Sequence, residues 1–369
     1  MAELKPGGPL SSAGLRLVQE LPYSRPATPG YHTQVRVGWI GLGAMGYLMA
    51  RNLANHRATH VEPHRPLLVW NRTRQKGEKL LHELGGGKVA IAQAVVDVAT
   101  TCDIVFTSLS SDDVIRSVYE EIAAAFQAQP PATRKILVDT STIYPRLAGE
   151  IDALVSAIPH CSFVTAPIFG PPAMAENATL IIALSGDYRS KKEVAFTVVP
   201  AIGRRVIDLG GNIEKAPTFK LIGNSLILGS LELIAEAYTM AEKSGIGQDV
   251  VYTYIKEMFP APLWLSYGDK MLHDKFDGTE GFSIDGGVKD ATHIRRLSSE
   301  LNSPMPAIDT AHHHLLTARA LHAAQERTGT TSFPVLDWSA LIAGTRVAAG
   351  LDAFESGKQS GPVPESESE

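Results

Sequence analysis

From residue 35 to about residue 210, short β-rich apolar runs alternate with segments of helical spacing. VRVGWIG, LLVWN, DIVFTSL, KILVDTS, CSFVTAPI, TLIIALSG and RRVIDLG read as strands. LMARNLAN, GEKLLHELG, DDVIRSVYEEIAAAF and PRLAGEIDALVSAI between them read as helices. This alternation predicts a doubly wound, mostly parallel sheet.

After residue 216 the strand signal stops, and the remaining periodic segments all have helical spacing. The first of them, APTFKLIGNSLILGSLELIAEA at 216–237, is apolar around its whole circumference. Such a helix is expected to be buried on most sides. Lys220 and Asn224 nevertheless share one face of its first turns, four residues apart. Taken alone, Lys220 would bury its stem and keep its head in water, and Asn224 would be a satisfied core amide.

The expected fold is therefore α/β: an N-terminal Rossmann-type doubly wound domain at 35–215, followed by an all-α substrate and dimerisation domain at 216–355. Residues 1–34, rich in Gly, Pro and Ser, read as a flexible extension. Residues 356–369, ending PVPESESE, read as a disordered acidic tail.

The 369 residues are 44% hydrophobic and 20% charged, the profile of a soluble globular protein. The formal net charge of −5 and the lack of a basic block argue against nucleic acid as a partner. Asn224, Ser225, Ser230 and Glu232 interrupt the most apolar helix, so a membrane partner is not expected. Cys102 and Cys161 alone give neither a disulfide framework nor a metal site. A reducing compartment follows, the cytoplasm first; the few Arg residues of the extension, mixed with Glu3 and Glu20, support a mitochondrial presequence poorly.

VGWIGLGAMGYLMARNL carries Gly41, Gly43 and Gly46 in the spacing G-x-G-x-x-G, directly after an apolar strand and at the start of a helix. Gly41 would make the tight turn, Gly43 would let backbone approach a pyrophosphate, and Gly46 would let helix and strand pack closely. With Leu42, Ala44 and Met45 they form the candidate dinucleotide loop, whose helix N-terminus suits phosphate. At the exit of the second strand stand Asn71, Arg72 and Thr73, where an acidic residue would favour a free ribose hydroxyl. A cation and a hydroxyl there suit a 2′-phosphate, so NADP(H) is the expected cofactor. Thr140, Ser141 and Thr142 end a strand where ligands sit in such sheets, although, taken without the other motifs, a plain N-cap for the helix beginning near Pro145 is the preferred explanation. His312, His313 and His314 follow one another on a helix, roughly 100° apart, and cannot converge on one ion. No metal is expected.

The ordered set GLGAMGYLMARNL, NRT, DTSTIYP, KLIGN and GVKD resembles the β-hydroxyacid dehydrogenase family over residues 35–355. That family includes 3-hydroxyisobutyrate dehydrogenases, tartronate semialdehyde reductases and glyoxylate/succinic semialdehyde reductases, with an NADP-binding domain of the 6-phosphogluconate dehydrogenase type. The resemblance implies that Lys220 is the catalytic lysine and Asn224 its partner. It implies that Ser141 contacts a substrate carboxylate, and that Thr142, Leu109, Ser110, Val114 and Lys289 lie by the cofactor. Trp264 and Phe282, with Phe169 and Gly170, fall at substrate-pocket positions. A lysine desolvated in a closing cleft loses basicity. Near a pKa of ~7–8 it could protonate a carbonyl oxygen while NADPH delivers hydride to the carbon.

Two departures stand out. The family usually has Ser-Gly-Gly where this chain has Phe169, Gly170, Pro171 and Pro172, and proline has no N–H to offer a carboxylate. The family glycines before the lysine are replaced by Glu214, Ala216 and Pro217. The expected function is NADP-dependent hydride transfer to or from a small β-hydroxy acid or its aldehyde or keto acid. The alternatives are a related reductase with another kind of substrate, or a catalytically silent dinucleotide-binding interaction protein. The apolar helix at 221–237 predicts a homodimer.

Overall fold

The computed structural model describes residues 21–23, 35–61, 63–279 and 281–356. The first domain is built on strands β1 (Val37–Ile40), β2 (Leu67–Trp70), β3 (Val89–Ile91), β4 (Ile104–Thr107), β5 (Lys135–Asp139) and β6 (Cys161–Thr165), parallel in the order β3-β2-β1-β4-β5-β6. β7 (Ile168–Phe169), β8 (Leu180–Gly186) and β9 (Gly203–Asp208) extend the sheet, with β8 antiparallel to β6 and β7 and parallel to β9. Every residue of β1, β4 and β5 is buried. Helices on both faces cover them, which is why these strands read as continuous apolar runs instead of alternating ones.

The helices here are α1 (Ala44–His60), α2 (Arg74–Leu84), α3 (Val95–Thr101), α4 (Asp112–Ala128), α5 (Pro145–Ser156), α6 (Pro172–Glu176) and α7 (Tyr188–Val198). The sequence pattern missed β3, α3, α6 and α7. β3 has three residues and α6 five, too few to display a period. The run CSFVTAPI is two strands, because Pro167 cannot donate to the ladder. Its carbonyl still accepts from the Ala183 N–H at 3.0 Å.

Part of the expected extension is packed on the domain. Tyr23 is buried, its hydroxyl donates to Asp208 Oδ2 at 2.8 Å, and its ring meets Tyr188 edge-on at 5.7 Å. A phenol with an acceptor and an apolar wall has reason to stay bound. The remainder of the extension and the tail from residue 357 lie outside the described residues.

The second region begins with α8 (Lys215–Lys243) and continues through α9 (Gln248–Met258), α10 (Pro262–Leu272), α11 (Ile284–Glu300), α12 (Pro306–Thr328), a 3₁₀ turn at Trp338–Leu341 and α13 (Ile342–Ala348). The sequence pattern does not mark α10. Leu221, Leu228, Leu231, Ile234, Ala235 and Tyr238 of α8 form the axis of a separate core with α10–α13. By length and mean hydropathy α8 could cross a membrane, but this inner face is packed protein core.

The expectation that α8 is buried on most sides needs correction. Ile222, Leu226, Leu233 and Met240 are 51%, 71%, 54% and 73% exposed, so one long face of the helix is uncovered within the chain.

α11 joins the two regions. Lys289, His293, Arg296 and Glu300 occupy one of its faces. Lys289 Nζ donates to the Thr142 carbonyl at 2.7 Å, and His293 Nε2 lies 3.2 Å from Asp112 Oδ1. The Tyr144 hydroxyl donates to Glu300 Oε2 at 2.5 Å, beneath the Arg296 guanidinium at 4.0 Å from its ring. The loops after β4 and β5 are thereby held against the helical region.

Candidate active site

The glycine loop sits at the carboxyl end of β1, where two sequence neighbourhoods meet. Gly41 has φ +98°, and its N–H donates to the Trp70 carbonyl at 2.9 Å. A Cβ on Gly46 would come within 2.2 Å of the Gly41 carbonyl oxygen, so only glycine lets α1 approach that closely. A Cβ on Gly43 would meet nothing within 4 Å. Open space therefore lies beside the glycine that caps α1. The first turn of α1 has no acidic residue and no side-chain cap. Its unsatisfied N–H groups, including those of Ala44 and Met45, are available to an anion. The cradle fits a dinucleotide pyrophosphate.

Asn71 braces this loop from the side. Its Oδ1 accepts from the Leu42 N–H at 2.8 Å, and its Nδ2 donates to the Thr73 carbonyl at 2.9 Å. Arg72 and Thr73 are exposed at the strand exit. Leu109 stands across the loop, with its Cδ2 3.0 Å from where a Gly41 Cβ would be. Ser110 is exposed, and Val114 lies in the first turn of α4.

Below that edge is a buried polar network that sequence reasoning did not identify. Asp139 Oδ1 accepts from Thr107 Oγ1 and Ser141 Oγ, each at 2.8 Å. The Ser141 hydroxyl in turn accepts from the Leu109 N–H at 2.9 Å. In this arrangement the Ser141 proton is directed at Asp139. Burial pushes the Asp139 carboxyl up to about 6, partly offset by its Ser141 and Thr107 donors.

The lysine lies on α8, which packs against β7 and β8. Lys220 Nζ donates to Asn224 Oδ1 at 2.8 Å and stands 4.7 Å from the centre of the Phe169 ring. Phe169 packs edge-on against Phe219 at 5.4 Å. A Cβ on Gly223 would strike Phe169 Cε1 at 2.3 Å, so this glycine makes room for the ring. The lysine keeps a partial opening to solvent. Desolvation lowers its pKa to about 8, against the raising effect of Asp290. Such a group can both give and take a proton near neutral pH.

The structure brings Lys220, Asn224 and Phe169 together, with Lys289 nearby through Asp290. Gly170, at φ +138°, turns the chain immediately after Phe169. Trp264 stacks on Phe259 at 5.1 Å and Phe282 packs against Trp338 at 4.7 Å. Asp290, the last residue of GVKD, has no role that the sequence pattern alone reveals. The three adjacent histidines take different surroundings: His312 lies beside Arg295 at 3.1 Å, His313 is exposed, and His314 pairs with Glu232 at 2.6 Å.

A mostly parallel sheet with an open glycine cradle at the carboxyl end of its first strand defines the dinucleotide-binding class. Residues 36–211 match the family model for the NAD binding domain of 6-phosphogluconate dehydrogenase. An uncharacterized oxidoreductase of Shewanella frigidimarina is 30% identical over 57% of this chain and 67% of its own length. The probable 3-hydroxyisobutyrate dehydrogenase-like 1, mitochondrial, of Arabidopsis thaliana is 26% identical over 78% of this chain and 81% of its own. Among solved structures, Mycobacterium tuberculosis 3-hydroxyisobutyrate dehydrogenase with L-serine superposes with a TM-score of 0.67 at 22% identity, covering 85% of this chain and 99% of that one. The chain belongs to the hydroxyacid dehydrogenase family of 3-hydroxyisobutyrate dehydrogenase-like oxidoreductases.

Proposed function

We propose that this chain is an NADP-dependent dehydrogenase/reductase in which Lys220 is the acid–base group. Its parent substrate class is the small β-hydroxy acids and their aldehyde or keto acid counterparts. The observation that carries the reading is the Lys220 ammonium held by Asn224 at 2.8 Å beside the Phe169 ring, with its pKa lowered to about 8. When bound, NADPH would supply the hydride that reduces the carbonyl carbon. Lys220 gives its proton to the carbonyl oxygen, and the Asn224 amide keeps the ammonium aimed. In oxidation the neutral amine takes that proton back.

NADP(H) is favoured over NAD(H) by Arg72. It is exposed and has no ion pair with any described residue, so its guanidinium is free to meet a 2′-phosphate. Lys76, also exposed, adds longer-range positive charge.

A second reading, that the substrate lacks a simple carboxylate, has its own support. The Ser141 proton is committed to Asp139, Lys289 donates to the Thr142 carbonyl, and Pro171 and Pro172 have no N–H. A carboxylate buried without donors costs several kcal/mol. NADPH oxidation with a panel containing succinic semialdehyde, glyoxylate and aldehydes without a carboxylate tests both. Turnover with the acids at ordinary KM favours the parent class, and turnover confined to the others favours the second reading. A protein that binds NADPH but turns over nothing in the panel would instead be the silent interaction protein.

The exposed face of α8 is the basis for a further part of the proposal, that two copies pair through it. Ile222, Leu226, Leu233 and Met240 would then be covered by a second copy. A monomeric peak on sizing at micromolar concentration would contradict this.

A further inference from the structure

We propose that Asp290 is a positioning residue for Lys220. It fixes the Asn224 amide with its oxygen toward the ammonium, and it ties that ammonium to the first domain through Lys289.

The geometry is a chain of short contacts. Lys220 Nζ donates to Asn224 Oδ1 at 2.8 Å, and Asn224 Nδ2 donates to Asp290 Oδ2 at 2.6 Å. A carboxylate can only accept, so Asp290 requires the NH₂ side of the amide and turns its oxygen toward Lys220. Without that constraint the amide could present NH₂ to the ammonium, where it has nothing to offer. Asp290 is 1% exposed, which leaves water no share in choosing the orientation. Its other oxygen, Oδ1, lies 3.3 Å from Lys289 Nζ, an ion pair without a well-directed hydrogen bond. Lys289 Nζ also donates to the Thr142 carbonyl at 2.7 Å, in the loop that follows β5. Asp290 thus lies between the acid–base group on α8 and the sheet edge that carries the cofactor cradle.

The electrostatics have opposite signs for two adjacent residues. The charged groups that act on Lys220 both come from α11: Asp290 favours the ammonium and Lys289 disfavours it. β7 faces it with the neutral Phe169 ring, and α8 with the neutral Asn224. Removing either charge should therefore move the protonation midpoint of Lys220 in a direction fixed in advance. A role limited to folding gives no such pair of opposite shifts.

The inference rests on Lys220 being the acid–base group, but its test needs no substrate. Competitive labelling of the full chain with acetic anhydride, read at the Lys220 peptide by mass spectrometry across pH, reports the amine midpoint directly. The unsubstituted protein should show a midpoint near 8. Asp290→Asn should lower it by roughly one pH unit or more, and Lys289→Gln should raise it. Lys289 is half-buried, so its variant gives an independent reading should Asp290→Asn not fold. Midpoints unchanged in the folded variants, or shifted in the same direction, would overturn the inference. Normal turnover in Lys220→Ala would remove the acid–base reading itself. Loss of turnover there with unmoved labelling midpoints would remove only the role of Asp290.

Discussion

The glycine loop takes its working parts from residues 41–46 and its brace from the adjoining strand exit at 71–73, whereas the lysine cleft draws Thr142, Phe169, Lys220, Asn224 and Asp290 from separate parts of the chain. On the proposed reading, backbone groups of the loop would hold the cofactor, and its glycines matter for what they leave out. Around the lysine the working groups are side chains, and each is oriented by the next. A change in the loop should be felt as lost cofactor binding, and a change in the cleft as lost chemistry with cofactor binding intact.

The strongest break in this contrast is Lys220→Ala. It should lower kcat by about 10²–10⁴ while the NADPH Kd from fluorescence titration stays near its original value. Near-normal turnover would remove Lys220 from the chemistry, and loss of NADPH binding would mean that the two regions are not separable.

Arg72→Ala probes the opposite side. A charge-assisted hydrogen bond is worth roughly 1.5–3 kcal/mol, so NADPH affinity should fall on the order of tenfold to a hundredfold. NADH affinity and kcat at saturating cofactor should hardly change, and added salt should shrink the NADPH advantage of the unsubstituted protein. Equal affinities for the two reduced cofactors before substitution would refute the NADP(H) assignment.

Gly223→Ala sharpens the contrast within the cleft. The added methyl would lie 2.3 Å from Phe169 Cε1, so the ring beside Lys220 must shift. Overpacking of this kind costs about 1–3 kcal/mol, to be read in denaturant unfolding. Turnover should fall by less than in Lys220→Ala, with the NADPH Kd unchanged.

The same contrast explains what could be read from sequence. The glycine loop is local, and its steric requirements are written in a contiguous spacing. Gly41, Gly43 and Gly46 take the turn, the open approach and the close packing anticipated for them. The long parallel strands were legible because burial on both faces makes them continuous apolar runs. β3 and α6 were too short to show a period. The apolar circumference of α8 gave its helical nature, but not which face would meet the core. Asp290 is visible in GVKD, but the value of a buried carboxylate depends on a partner 66 residues away. Ser141 shows the converse: its position by Leu109 is consistent with the resemblance, but its proton is already taken by Asp139. No spacing rule carries that information.

The central claim is that one lysine exchanges the proton in both directions, and its most direct test is the pH dependence of kcat/KM measured both ways in the unsubstituted protein. Reduction requires the ammonium, so its kcat/KM should fall as pH rises through the Lys220 value of about 8. Oxidation requires the neutral amine, so its kcat/KM should rise through the same range. Mirror-image profiles with a shared midpoint are the predicted result; profiles that move in the same direction, or that show no transition near that pH, would contradict the account.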